Sequence, residues 1–331
     1  MGGLTICINP MQTWKLCSRL LYRPAAVFFL FFFKYMTLVM LKILLFSLPF
    51  HIIILLLLYK DKKTIKIFKK IQNEGKLFMP EVILRTRELT KKYQGKTVVD
   101  SLDLEIRKGE IFGLLGPNGA GKSTTMNMVC AITKPTAGSI SLLGINPWKQ
   151  KKEVIHRIGY IPQELAIHGK LKAWENVELF TSLYGIKGHE LKETIDKSLE
   201  YTGLLDKRNE FAKNFSGGMK RRLNIACAIG HNPEILFFDE PTVGIDPQSR
   251  NFILGKIKES NKNGATVVYT SHYMEEVEAI CSRIAIMDNG KVIACGTSEE
   301  LKKLVTDNDK DITLEEVFLT LTGKQLRDYT V

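Results

Sequence analysis

Residues 116–123 read Gly-Pro-Asn-Gly-Ala-Gly-Lys-Ser, a G-x-x-x-x-G-K-[ST] spacing with an apolar run before it. Gly116, Gly119 and Gly121, with Asn118 between the first two, let the backbone wrap closely around a polyphosphate. Amide N–H groups and a helix N-terminus then face the negative charge. Lys122 suits the β- and γ-phosphates of a triphosphate, and Ser123, followed by Thr124, offers a hydroxyl to Mg²⁺. A second chemical element, Asp239-Glu240, ends the apolar run Ile235 to Phe238. At the end of a strand in a nucleotide-binding sheet, Asp239 can hold Mg²⁺ through its water shell. Glu240, one residue on, is placed to polarise an attacking water as general base. An exposed acidic turn before Pro241 is the plainer alternative, and the phosphate-binding loop elsewhere in the chain argues against it.

These residues need strands that end together and helices that begin there. The runs Leu102 to Ile106, Ile111 to Leu115, Ile235 to Phe238, Thr266 to Thr270 and Ile284 to Met287 read as strands, alternating with helical patterns from Val82 onward. A helix is expected to open at the glycine-rich turn and to carry Met126 to Ile132. Residues 164–232 read as a helical insert, with helices over Ala173 to Tyr184 and Glu190 to Thr202, and residues 311–331 as a short helical appendage. The fold class is α/β.

Between the two chemical elements stands Asn214-Phe215-Ser216-Gly217-Gly218-Met219-Lys220-Arg221-Arg222-Leu223, which no simple kinase or GTPase needs. It resembles the signature sequence of the ATP-binding cassette (ABC) transporters, and further family marks stand in order around it. Tyr93 matches the aromatic that stacks on adenine, Gln163 in Tyr160-Ile161-Pro162-Gln163 the glutamine loop, Asp246 the aspartate loop, and His272 the switch histidine. The resemblance covers essentially everything after Met79. It implies a P-loop NTPase cassette, a RecA-like core with an antiparallel β subdomain and a helical subdomain, over about residues 79–310. It also implies that Ser216, Gly217 and Gly218 serve ATP held by the opposite cassette, so that a homodimer closes around two nucleotides. His272 would contact the γ-phosphate, and Gln163 would reach the metal and link nucleotide state to the helical insert. Phe215 and Met219 depart from the commonest signature; with the ending Leu314 to Gly323 they resemble the drug-resistance and nodulation-factor exporter branch. That branch implies an ATPase subunit on the cytoplasmic face of the cell membrane, working with a separate transmembrane permease.

Composition narrows the alternatives. The net charge of +12 is concentrated in residues 1–78, which hold twelve Lys/Arg against Asp61 and Glu74, leaving 35 basic and 33 acidic residues elsewhere. A nearly neutral body gives no broad nucleic-acid-binding face, so no nucleic-acid partner is expected. The runner-up, a non-transport ABC ATPase acting on ribosomes or nucleic acid, would usually carry paired cassettes or long coiled coils, and neither pattern is present. The six cysteines have no CxxC pair and no His at metal-ligand spacing, which excludes a disulfide framework or zinc site. Residues 1–78 form a hydrophobic, basic leader with two open readings. One is a single transmembrane helix near 35–59, marginal in length and interrupted by Lys42, with the following basic run held on the cytoplasmic side. The other is that translation starts at Met79, with 1–78 not made; the codons of Glu74-Gly75-Lys76 can read as a ribosome-binding sequence.

Overall fold

The computed structural model describes residues 81–305 and 312–323. The expected leader, 1–78, lies outside the described residues. Among the described residues no helix is long and apolar enough to cross a membrane.

The cassette opens with a long hairpin, β1 (Val82–Tyr93) and β2 (Lys96–Arg107), whose two-residue turn places Gln94 and Gly95 at positive φ. That is the turn whose twist matches paired strands. Strand β3 (Ile111–Leu115) leads into α1 (Lys122–Val129), and β4 (Ala137–Leu142) returns to pair with β1. Helix α2 (Lys151–Ile155) and β5 (Ile158–Ile161) follow, then α3 (Ala173–Ser182), α4 (Gly188–Tyr201) and α5 (Gly217–Ile229). The chain re-enters the sheet as β6 (Ile235–Asp239), with α6 (Pro247–Lys262), β7 (Thr266–Ser271), α7 (Met274–Ile280), β8 (Arg283–Asp288) and β9 (Lys291–Gly296) after it. Helices α8 (Ser298–Lys303) and α9 (Leu314–Thr322) close the described chain.

Two sheets result: an antiparallel one in the order β2-β1-β4 and a six-stranded one in the order β5-β6-β7-β3-β8-β9. Every pairing in the second is parallel except β8 with β9. Its central strands are covered on both faces, which is why they read as unbroken apolar runs. Phe112, Leu114, Phe237 and Val268 pack with α1 and the antiparallel sheet, whereas Ile111, Leu115, Phe238, Val267 and Tyr269 pack with α6, α7 and α9. Leu314, Val317 and Phe318 of α9 are buried in that second core. A third core, around Val177, Ile195, Leu199, Phe215 and Leu223, holds α3, α4 and α5 together.

The expected strands and helices are present with shifted helix ends: α3 stops at Ser182, two residues short of Tyr184, α4 runs Gly188–Tyr201 in place of the expected 190–202, and α1 stops early. Helix α1 ends at Val129, three residues short of Ile132, because Ala131 turns left-handed at φ 56° and the Ile132 amide donates back to the Asn127 carbonyl at 2.8 Å. This six-to-one bond is a helix stop that apolar periodicity does not signal.

Candidate active site

Sheet register levels three strand ends. Leu115 of β3 lies opposite Ser271 of β7, and Thr270 of β7 lies opposite Asp239 of β6. The chain therefore leaves the same edge at Gly116, Glu240 and His272. Ligands bind beyond the carboxyl ends of strands in open α/β sheets, and here that edge carries the phosphate-type loop. Gly121 caps α1 at φ 101°, and a Cβ there would meet the Val98 carbonyl oxygen at 2.8 Å. Only glycine takes that position without strain. A Cβ on Gly116 would collide with the Met287 carbonyl.

Lys122 is buried and turned back on its own loop. Its Nζ donates to the carbonyls of Gly116 at 2.7 Å and Pro117 at 3.1 Å, and pairs with Glu240 Oε1 at 3.0 Å. The other Glu240 oxygen lies 3.2 Å from His272 Nδ1. Glu240 itself sits at φ 46°, a backbone region rare for non-glycine residues, with its N–H donating to Thr270 Oγ1 at 3.0 Å. Burial alone would push the Glu240 carboxyl up, but the His272 hydrogen bond and the Lys122 ammonium outweigh it and hold its pKa at about 2. Asp239 goes the other way: burial raises it, against the hydroxyls of Thr270 at 2.7 Å and Ser123 at 3.0 Å that donate to its Oδ1.

The hydroxyl of Ser123 and the carboxylate of Asp239 fit a hard cation such as Mg²⁺, which takes one or two protein oxygens and completes its shell with phosphate and water. Among the described residues no cluster of three or more His, Cys, Asp or Glu could hold a metal by itself. The donor set therefore suits an ion that arrives with a nucleotide.

The remaining candidates lie in two groups. Gln163 is exposed just after β5, and its backbone carbonyl accepts from Arg221 Nη2 at 2.6 Å while the Pro162 carbonyl accepts from Nη1 at 2.7 Å. Arg221 is on α5, so the glutamine segment is tied to the helix that Ser216 caps. Ser216 accepts from the Met219 amide at 3.2 Å, and Asp246 caps α6 by accepting from the Ser249 amide at 2.9 Å. Gly218 brings these two caps together: a Cβ there would lie 2.6 Å from Ser249 Cβ and 3.1 Å from Asp246 Oδ2. A Cβ on Gly217 meets nothing within 4 Å. Tyr93 is half-exposed at the end of β1, with Lys91 Nζ 4.7 Å from its ring centroid. The returning strand β2 passes the phosphate-type loop at Val98.

Thr270, Tyr160 and Arg221 are further site residues that motif spacing does not single out. Tyr160 donates its hydroxyl to Asn127 Oδ1 at 3.1 Å and lies 3.4 Å from Asp239 Oδ2. Burial, reinforced by the Asp239 charge, pushes its phenol pKa up, so it stays a donor. Its place just before Pro162-Gln163 is the only sequence signal for it.

Residues 99–243 match the family model for the ABC transporter domain. The linearmycin resistance ATP-binding protein LnrL of Bacillus subtilis (strain 168) is 47% identical over 219 residues, covering 66% of this chain and 70% of that protein. The Nod factor export ATP-binding protein I of Cupriavidus metallidurans is 38% identical over 219 residues, covering 66% of this chain and 72% of its own length. Among solved structures, an ATP-binding subunit of an ABC transporter superposes with a TM-score of 0.66 at 28% identity, over 72% of this chain and 99% of the other. A dimeric ATP-binding cassette in a post-hydrolysis state with ADP and phosphate superposes with a TM-score of 0.60 at 27% identity, over 65% of this chain and 98% of the other.

Proposed function

The chain belongs to the ABC transporter family as an ATP-binding subunit that hydrolyses ATP, and from that premise we propose that it is the motor of an exporter whose membrane-spanning permease is a separate polypeptide. The observation that carries the site assignment is Glu240, held between Lys122 at 3.0 Å and His272 at 3.2 Å at the sheet edge where the phosphate-binding loop begins.

In this reading the loop amides of residues 116–123 and Lys122 bind the β- and γ-phosphates, and Tyr93 stacks on adenine. Taking the phosphates draws Lys122 away from Glu240 and removes one of the two partners that hold the carboxylate acidic. Glu240 then becomes a better base for the attacking water, with His272 keeping its carboxylate in line. Ser123 and Asp239, with Gln163, would hold Mg²⁺, which would supply charge neutralisation on the phosphate oxygens. Ser216, Gly217 and Gly218 open α5 as an anion-binding N-terminus for the nucleotide of a second copy, and Asp246 lies beside them at the same interface. A dimer that closes around two nucleotides couples this chemistry to movement of the helical insert. The relatives named for linearmycin resistance and Nod factor export support the export direction. No observation favours an ATPase acting on ribosomes or nucleic acid.

The surface suited to the permease is the cleft between the glutamine segment and the helical insert. A cavity of about 320 Å³ there is lined by Ile132, Pro162, Ala166, Phe180, Tyr184 and Asn224, among others. Ile132 on its wall is 54% exposed, and Leu183, next in the chain to the lining residue Tyr184, is 72% exposed; a partner seated here would cover such apolar side chains. A mild-detergent pull-down through a C-terminal tag is expected to recover a polytopic membrane protein. Leu183→Asp is expected to lose it while leaving the ATPase rate of the purified chain unchanged. Recovery of ribosomal or DNA-repair proteins with no permease would overturn the reading.

A further inference from the structure

Glu276, on α7, is buried to 3% exposure, and its carboxylate bonds to the two turns that carry Glu240 and His272, to Tyr269 of β7 and to the helix that Asp246 caps. Oε2 accepts from Thr242 Oγ1 at 2.8 Å, Tyr269 OH at 2.6 Å and Ser271 Oγ at 3.2 Å. Oε1 pairs with Arg250 Nε of α6 at 2.5 Å. Thr242 is two residues beyond Glu240. Ser271 immediately precedes His272, and its hydroxyl oxygen accepts the amide of Tyr273, which immediately follows, at 2.9 Å. The Tyr273 ring in turn contacts both sides of this network: its centroid is 4.1 Å from that of His272, the rings tilted by 42°, and the Arg250 guanidinium carbon lies 5.1 Å from it. Both flanks of His272 are thus tied to one carboxylate and its counter-ion.

We propose that Glu276 is a positioning residue for ATP hydrolysis: with Arg250 it locks the 271–273 turn to the 239–242 turn and so holds His272 against Glu240. A buried ion pair is a poor way to gain stability, since apolar residues of similar size usually do as well or better. Its value here is orientation. The four groups bonded to it are arranged so that a shift of His272 or of the turn after Glu240 strains bonds to Glu276. Because Arg250 is on α6, four residues after the Asp246 cap, a displacement of that cap is felt at His272 through the same pair.

This inference rests on the roles proposed for Glu240 and His272, and the test separates the two. Glu276→Gln, Arg250→Gln and, as reference, Glu240→Gln are made in the full chain. Each is measured for thermal midpoint, equilibrium ATP affinity, KM and kcat. Glu276→Gln is expected to keep ATP affinity within about twofold of wild type and to lower kcat at least tenfold. Arg250→Gln, whose side chain reaches the surface, is expected to lower kcat by a smaller factor, also at unchanged affinity, and it carries the test if Glu276→Gln does not fold. Folded variants that keep kcat within twofold of wild type, or that lose affinity as much as kcat, overturn the proposal. If Glu240→Gln is inactive while the other two are normal, Glu276 fails and the reading of the site stands. Normal turnover in Glu240→Gln overturns both.

Discussion

Glu240 is acidic because of what touches it, and the same contacts make its state depend on nucleotide. In the nucleotide-free chain its pKa is held at about 2 against burial by His272 and Lys122. The unfolded chain takes up this proton near the ordinary carboxylate value, so Glu240 contributes stability above about pH 4.5 and loses it as pH falls toward 2. Asp239, raised by burial, has the opposite sign. The comparison between wild type and Glu240→Gln isolates the first of these. The thermal midpoint of the nucleotide-free variant is expected to fall less steeply than that of wild type between pH 5 and pH 3.5. Equal slopes by calorimetry would show that Glu240 is not held as described. Glu240 also accounts for Lys122 lying deep in the protein at 3% side-chain exposure: a buried ammonium needs the Gly116 and Pro117 carbonyls and a carboxylate around it.

Helix α5 joins several parts of the site through its first turns. Ser216 caps it, Arg221 grips the backbone at Pro162 and Gln163, and Gly218 lets it approach the start of α6. Two adjacent glycines therefore answer to different demands. Alanine at 218 would press on Ser249 Cβ, an atom no rotamer change can move, and is expected to destabilise the chain by about 1–3 kcal/mol. Alanine at 217 meets open space, and its better helix propensity leaves stability unchanged or slightly improved. If this turn serves the nucleotide of a second copy, Gly217→Ala still lowers turnover. Denaturant unfolding and ATPase rates measured on both variants would separate packing from function. A Gly217→Ala variant with normal turnover would show that the turn does not meet nucleotide.

For the molecule as a whole, the site described is one half of the unit proposed to hydrolyse ATP. One chain supplies the phosphate-binding loop, Glu240 and His272, and the Ser216–Gly218 turn opens toward free space at Gly217. The solved relative with ADP and phosphate is a dimer. Sedimentation of Glu240→Gln with Mg-ATP is therefore expected to give twice the mass of the chain, reverting to monomer without nucleotide or when Lys122→Ala is added. A monomer at all nucleotide concentrations would require a different partner to complete the site. The cleft proposed for the permease is lined by residues of the strand-bearing cores, such as Cys130 and Ile158, and by Cys227 from the core of α3, α4 and α5.

Much of the proposed site was legible in residue order because its parts are local. A phosphate-binding loop, a strand ending in Asp-Glu, and caps such as Ser216 and Asp246 depend on neighbours a few residues away, and both-face burial shows as continuous apolar runs over β3 and up to Asp239 in β6. The leader, 1–78, falls outside the described residues. What residue order does not contain is strand order. Placing β7 between β3 and β6 brings Thr270 to Asp239 and His272 to Glu240. The partners of Asp239, Arg221 and Glu276 come from positions far apart in the chain, with no spacing rule to announce them. The end of α1 was missed for a related reason: a single left-handed residue, Ala131, outweighs the apolar pattern that runs on to Ile132. Local chemistry follows from covalent neighbours, whereas the contacts that tune it follow from which strands lie side by side, and that is settled by burying three cores at once.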